Sequence, residues 1–113
     1  PKIIQNLEKI KTYQVDMMNK ESITKMWTNI NKNMDIIIDD GFHSFEANTI
    51  FFENSFQNLN SNGYYIIEDI HRKPKNIKRF YNYFNKLKLQ FQIIDIPHKN
   101  NINDNCIILI KKN

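Results

Sequence analysis

The chain has 113 residues, a net charge of +4 and a quarter of its residues charged. That length allows one domain with a modest core, and the composition is that of a folded globular chain rather than a disordered one. No apolar run approaches the roughly 18–20 residues that span a bilayer, and no charged start with an apolar centre marks a signal peptide.

The sequence begins at Pro1 rather than methionine, so a trimmed or partial chain is expected. Its basic residues are scattered, and the abundance of Asn, Ile and Lys reads as an AT-rich coding bias. The densest basic run, residues 71–79, sits at the start of an expected helix. It is taken as a solvated helix end rather than a nucleic-acid patch. Cys106 is the single cysteine, which excludes an internal disulfide and makes a reducing, cytoplasmic compartment the default.

In chain order, Ile3, Ile4, Leu7 and Ile10 repeat at helical spacing and predict a short helix over residues 2–10. Residues 11–15, KTYQV, have the β-branched and aromatic content of a strand, with Asp16 at its end. Ile23, Met26, Trp27 and Ile30 then form an apolar stripe on a helix starting near residues 19–22. Met34–Asp39 is a second strand, broken at Gly41, and Ser44 can cap a helix running to about Asn58. Phe45, Phe52, Phe56 and Leu59 are its expected buried stripe.

The run Asn60-Ser61-Asn62-Gly63 has turn chemistry, with Gly63 free to take positive φ. Residues 64–69 form a third strand. Pro74 opens a helix with the stripe Ile77, Phe80, Tyr81, Phe84 and Leu87. Residues 89–96 form a fourth strand ended by Pro97, residues 98–105 a polar loop, and Cys106–Lys111 a last strand. Alternating helices and strands predict a mostly parallel sheet, with the final two strands close enough to pair antiparallel.

Two segments carry surplus charge where a buried strand ends. Residues 35–46 read DIIIDDGFHSFE, and residues 64–71 read YYIIEDIH. Ligands of open α/β sheets bind at the carboxyl ends of the strands, so the two acid pairs Asp39-Asp40 and Glu68-Asp69 converge on one edge if the strands are neighbours. Crowded carboxylates repel unless a cation sits among them, and oxygen ligands suit Mg²⁺, Mn²⁺ or Ca²⁺ rather than zinc. His43 and His71 stand close enough in sequence to assist as bases or supporting groups. Each acid also has a plainer use; Asp40, for example, can cap the following helix. It is the pairing of both acid sets with a histidine beside each that points to a site.

This double motif, together with the intervening helix and the turn NSNG, closely resembles metal-dependent O-methyltransferases of the macrocin O-methyltransferase type. Cephalosporin hydroxylase-like proteins and sugar O-methyltransferases of antibiotic pathways belong to the same group. The resemblance covers residue 11 to about residue 71. It implies the Rossmann-like, three-layer α/β sandwich of class I S-adenosylmethionine-dependent methyltransferases, with strand order 3-2-1-4-5-7-6. Residue by residue, it implies that Asp40, Glu68 and Asp69 hold a divalent metal such as Mg²⁺ and that His43 is the general base. It also places Asp16 and Met17 at the adenine ring, and Asp39 either beside the cofactor or as a buttress of the turn. The acceptor it implies is a hydroxyl of a sugar or glycosylated small molecule, with no nucleic acid and no membrane as partner.

The sequence departs from that family in one large respect. Gly41 and Gly63 are the only glycines, and neither lies in a glycine-rich cofactor loop after a strand. The chain therefore reads as residues 1–113 of a single, incomplete methyltransferase domain, its N-terminal strand–helix–strand unit missing. Such a piece is expected to bind S-adenosylmethionine weakly or not at all. Phe42 also stands where the family often has Ser, and Asn62 where it often has Gly. Two other readings fit part of the pattern. A non-catalytic α/β binding module derived from a methyltransferase accommodates the missing loop. A phosphoacceptor receiver domain accommodates acids at strand ends, but not the histidine and the Glu-Asp pair.

Overall fold

In the computed structural model, residues 9–96 and 105–113 are described. Helix α1, Lys20–Ile30, starts at Asn19, whose side chain accepts a 2.8 Å hydrogen bond from the Ser22 N–H. It ends at Asn31, which adopts the left-handed conformation and donates its N–H to the Trp27 carbonyl. Ile23 and Trp27 are its buried face, and the Trp27 indole donates to the buried Ser55 hydroxyl at 2.9 Å. The core thus satisfies the one polar atom that the tryptophan brings into it.

Strand β1, Met34–Asp39, leads through a short loop to α2, Phe45–Glu53, capped by the Ser44 side chain accepting from the Ala47 N–H. A single 3-10 turn at Phe56–Asn58 then passes into the long strand β2, Leu59–Ile70. Pro74 begins α3, Pro74–Lys86, at a position where a missing N–H costs nothing. Strands β3, Gln90–Asp95, and β4, Cys106–Lys111, close the described chain.

The four strands form one sheet in the order β1-β2-β4-β3. β1 pairs parallel with β2, and β4 pairs antiparallel with both β2 and β3. This matches the consecutive 4-5-7-6 part of the expected strand order and its antiparallel final pair. Tyr65, Ile67, Ile108 and Ile110 are fully buried on the sheet face that meets α2 and α3. Phe52 sets its ring edge-on to Tyr65 and to Phe84, each with centroids 5.0 Å apart, so aromatic edges knit helices to sheet. On the other face Ile36 and Ile38 are 57% and 55% exposed, although β1 reads as an unbroken apolar run. No helix among the described residues is long and apolar enough to cross a membrane.

Some expectations fall outside the described residues, and others are corrected. The helix expected over residues 2–10 lies largely outside the described residues, as do Pro97 and most of the loop at 98–105. Residues 11–15 form no strand: a strand exists only through a ladder, and none of these residues pairs with the sheet. Helix α2 stops at Glu53 rather than near Asn58, because the chain tightens into the 3-10 turn. Tyr81 and Leu87 are exposed rather than buried, leaving Phe80 and Phe84 as the buried face of α3.

The segment 60–63 is not a free turn but the bulged first half of β2. Pairing shifts from Met34 opposite Leu59 to Ile36 opposite Tyr64, and Asn62 rather than Gly63 takes positive φ, at 68°. Gly63 is needed for space instead. A Cβ there would stand 2.7 Å from the Asp35 carbonyl oxygen and 2.8 Å from that of Asn60.

Candidate functional site

Parallel pairing decides where the acids go. Ile38 lies opposite Ile66 and Asp39 opposite Ile67, so β1 and β2 deliver their acid-bearing ends to the same edge of the sheet. Beyond β1 the loop Asp40-Gly41-Phe42-His43 is drawn tight by the Ser44 N–H donating to the Phe42 carbonyl at 2.9 Å. Beyond Ile67, β2 breaks register with β4, and Asp69 takes a φ of 55°. Aspartate tolerates that left-handed conformation better than most residues. The bulge takes Asp69 out of the ladder at the point where its carboxylate meets the β1 loop, a usual service of bulges at strand ends.

The result is a three-residue group. His43 Nε2 lies 3.9 Å from Asp40 Oδ1 and 3.9 Å from Asp69 Oδ2. Ligand atoms of Asp40, His43 and Asp69 all fall within 4.8 Å of one another, and all three side chains are exposed. Ligand atoms on a six-coordinate cation with bonds of about 2.1 Å stand roughly 3–4 Å apart, so these groups can close on one ion with small side-chain movements. Two carboxylates and an imidazole suit hard to borderline divalent cations. Glu68, half-buried, gives no ligand atom to this group.

Asp39 is only 3% exposed, and both its oxygens are engaged. Oδ1 accepts from the Gly41 N–H at 3.1 Å and Oδ2 from the Asn48 side-chain amide at 2.8 Å. Burial pushes its carboxyl above the usual aspartate range, with the Asn48 and Gly41 hydrogen bonds pulling the other way. Of the two roles open to Asp39, the buttress of the turn is the one this geometry displays.

Asp16 and Met17 arrive from the segment before α1. The Asp16 carboxylate accepts from the Met18 N–H at 3.0 Å, and its own N–H donates to Ser22 Oγ at 2.8 Å, closing a turn at the mouth of α1. Met17 places its sulfur against Gly41 and accepts from the Phe42 N–H at 3.4 Å. The side chain of Met17 therefore touches the Asp-Asp-Gly turn, while exposed Asp16 lies just outside it.

His43 and Asp69 also line a cleft of about 220 Å³ between the starts of α2 and α3, with Phe45, His71, Asn76 and Arg79 among its other walls. Sequence reasoning passed over Asn48, Asn76 and Arg79. Asn48 had a signal, as a polar residue amid the buried face of a helix; Arg79 had none, because its place depends on how α3 lies against α2. A larger apolar cleft of about 780 Å³, lined by Phe52, Phe56, Tyr83, Leu87 and Leu89, shares no residue with the acid group.

No family model and no curated protein sequence matches this chain. Solved structures do. The MycE methyltransferase from the mycinamycin biosynthetic pathway, in complex with Mg and SAH, superposes with a TM-score of 0.58 at 18% identity over 90% of this chain. The same enzyme in complex with Mg, SAH and mycinamycin VI gives 0.57 at 19% identity. A candidate rRNA methylase from Clostridium thermocellum gives 0.52 at 15% identity over 99% of this chain. The chain spans about a third of the two MycE chains, 32% and 31%, and 67% of the third. At these identities the likeness establishes the fold: a partial Rossmann-like α/β fold of the methyltransferase kind.

Proposed function

We propose that this chain carries the metal- and acceptor-binding part of an S-adenosylmethionine-dependent O-methyltransferase acting on a hydroxyl of a sugar or glycosylated small molecule. The observation that carries the proposal is the convergence of Asp40, His43 and Asp69 at the adjacent ends of β1 and β2, on a methyltransferase fold.

Asp40 and Asp69 would hold the cation; Glu68, which the family resemblance adds to them, gives no ligand atom to the group as it stands. When bound, such an ion supplies positive charge at the acceptor oxygen. The chain's own residues do the rest. A sugar hydroxyl is a poor nucleophile while it keeps its proton; the role given to exposed His43, which lines the cleft, is to receive that proton on an imidazole left off the ion. Asp39, through Gly41 and Asn48, holds the turn that sets the spacing of Asp40 and His43. Asp16 and Met17 are the residues given to the methyl donor, a reading supported by the contact of Met17 with the turn after β1. Transfer from a sulfonium needs in-line approach, so fixed positioning of the acceptor accounts for much of the expected rate.

A non-catalytic binding module remains the second reading. It is favoured by one observation: the only glycines, Gly41 and Gly63, are both committed to close packing, so neither forms a cofactor loop. Methyl transfer from S-adenosylmethionine to sugar hydroxyls, assayed with Mg²⁺ on the full protein carrying this sequence, separates the two. Loss of transfer in Asp40→Ala and His43→Ala supports the enzyme; equal transfer by wild type and both variants overturns the site assignment.

A further inference from the structure

The cleft beside His43 has an unusual wall. Arg79 is held on three sides: its guanidinium lies 4.7 Å from the Phe45 ring centroid, Nη2 donates to Asn76 Oδ1 at 3.2 Å, and Nη1 is 3.6 Å from Glu46 Oε1. Asn76 is itself fixed by donating to the His71 carbonyl at 2.9 Å. A guanidinium has five N–H donors, and these contacts leave most of them available. The Glu46 contact is too long for a charge-assisted hydrogen bond and is exposed, so it neutralises little.

His71 lines the same cleft, and its Nδ1 accepts from the Lys73 N–H at 3.2 Å. The ring proton of the neutral imidazole therefore sits on Nε2, which has no partner among the described residues. Lys73, Lys75 and Lys78, on and just before the first turns of α3, are exposed, with no acidic partner among the described residues. The first turn of α3 contains no acid. One cleft thus joins the proton acceptor His43 to the fixed guanidinium of Arg79 and an unpaired donor on His71.

We infer that the acceptor bears an oxyanion, a phosphate or a carboxylate, in addition to its reacting hydroxyl, and that Arg79 and His71 bind that group in the cleft. Asn76 and Phe45 are positioning residues that hold the guanidinium flat and ready for two parallel hydrogen bonds. The carboxylates of Glu46 and Asp69 in the lining, and Asp40 beside them, oppose an anion; Arg79 faces Glu46, and this inference rests on the reading above in which a cation offsets Asp40 and Asp69. The volume of about 220 Å³ fits a single sugar ring with one small substituent rather than a polymer.

The test titrates the protein, with Mg²⁺ present, with glucose, glucose 6-phosphate and glucuronate, following the His43 and His71 imidazole signals by NMR. At least one anionic sugar is expected to bind about tenfold more tightly than glucose, and Arg79→Gln to abolish that advantage while leaving glucose unchanged. Advantage for the phosphate alone, or for both anions, identifies the oxyanion. Indistinguishable affinity for all three sugars, or an Arg79→Gln loss shared equally by glucose, overturns the inference. Broadening of His43 by Mn²⁺ in parallel samples without Mg²⁺ reports the cation site independently. If the cation binds but the sugars are not distinguished, this inference fails while the function proposed above stands.

Discussion

The buried carboxylate of Asp39 accepts a 2.8 Å hydrogen bond from the side-chain amide of Asn48, tying the end of β1 to the middle of α2. Its other oxygen holds the Gly41 N–H. Asp39→Ala leaves both donors unmet, and a loss of about 1–3 kcal/mol in urea unfolding is expected. Asp39→Asn is milder, since the Asn48 amide can turn over and accept from the new side chain.

The same residue sets a pH dependence. Its folded pKa is raised by burial, so the native state holds the proton more tightly than the unfolded chain. Stability then falls as pH rises from near the ordinary value of 3.8 through the raised folded value, and is level above it. Urea midpoints measured across acidic pH should show this fall in wild type and lack it in Asp39→Asn.

The two glycines separate packing from flexibility. Gly63→Ala drives a methyl group against two backbone carbonyls that cannot yield, and a cost of about 1–3 kcal/mol is expected. At Gly41 the obstacle is the end of the Met17 side chain, which can swing aside. Thermal unfolding should therefore be hurt more by Gly63→Ala, while Gly41→Ala chiefly shifts the Met17 methyl resonance.

Cys106 is buried and its thiol is pushed up by burial and by Asp95, with Arg72 pulling down. The thiolate is the reactive form. Thiol reagents at neutral pH should label it slowly in the folded protein and at once in denaturant. Rapid labelling of the native chain contradicts its place in β4.

Among the described residues, strand β1 is a sheet edge with apolar side chains on both faces. Ile37→Ala is expected to cost about 2–4 kcal/mol, since that side chain is buried. Ile38→Lys should cost within about 0.5 kcal/mol and reduce concentration-dependent self-association, seen by light scattering, because an exposed apolar edge invites strand addition.

Much of this architecture was legible from local pattern. Met34–Asp39 and Cys106–Lys111 were readable to the residue, because short apolar runs there end in abrupt changes of chemistry. Parallel pairing of two acid-tipped strands brings their ends to one sheet edge, as their sequence pattern suggests; that Asp40, His43 and Asp69 group there without Glu68 depends on the bulge at Asp69. What sequence did not disclose depends on partners. Residues 11–15 have strand composition but no ladder to join. Residues 60–63 have turn composition yet form a bulge kept within β2 by Lys112, whose carbonyl accepts from the Asn62 N–H. The left-handed Asp69 and the placement of Arg79 over Phe45 arise from tertiary packing, which leaves no local periodicity to read.

The account rests on one group of side chains taking a divalent cation. Mn²⁺ titration followed by NMR line broadening, in wild type, Asp40→Ala and Asp69→Ala, tests this most directly. Signals of Asp40, His43 and Asp69 should broaden first in wild type, Mg²⁺ should reverse the effect, and both variants should lose it. Glu68→Gln, run alongside, determines whether a third acid joins them. Broadening spread evenly over the surface acids, or unchanged in both alanine variants, would contradict a cation site at the ends of β1 and β2.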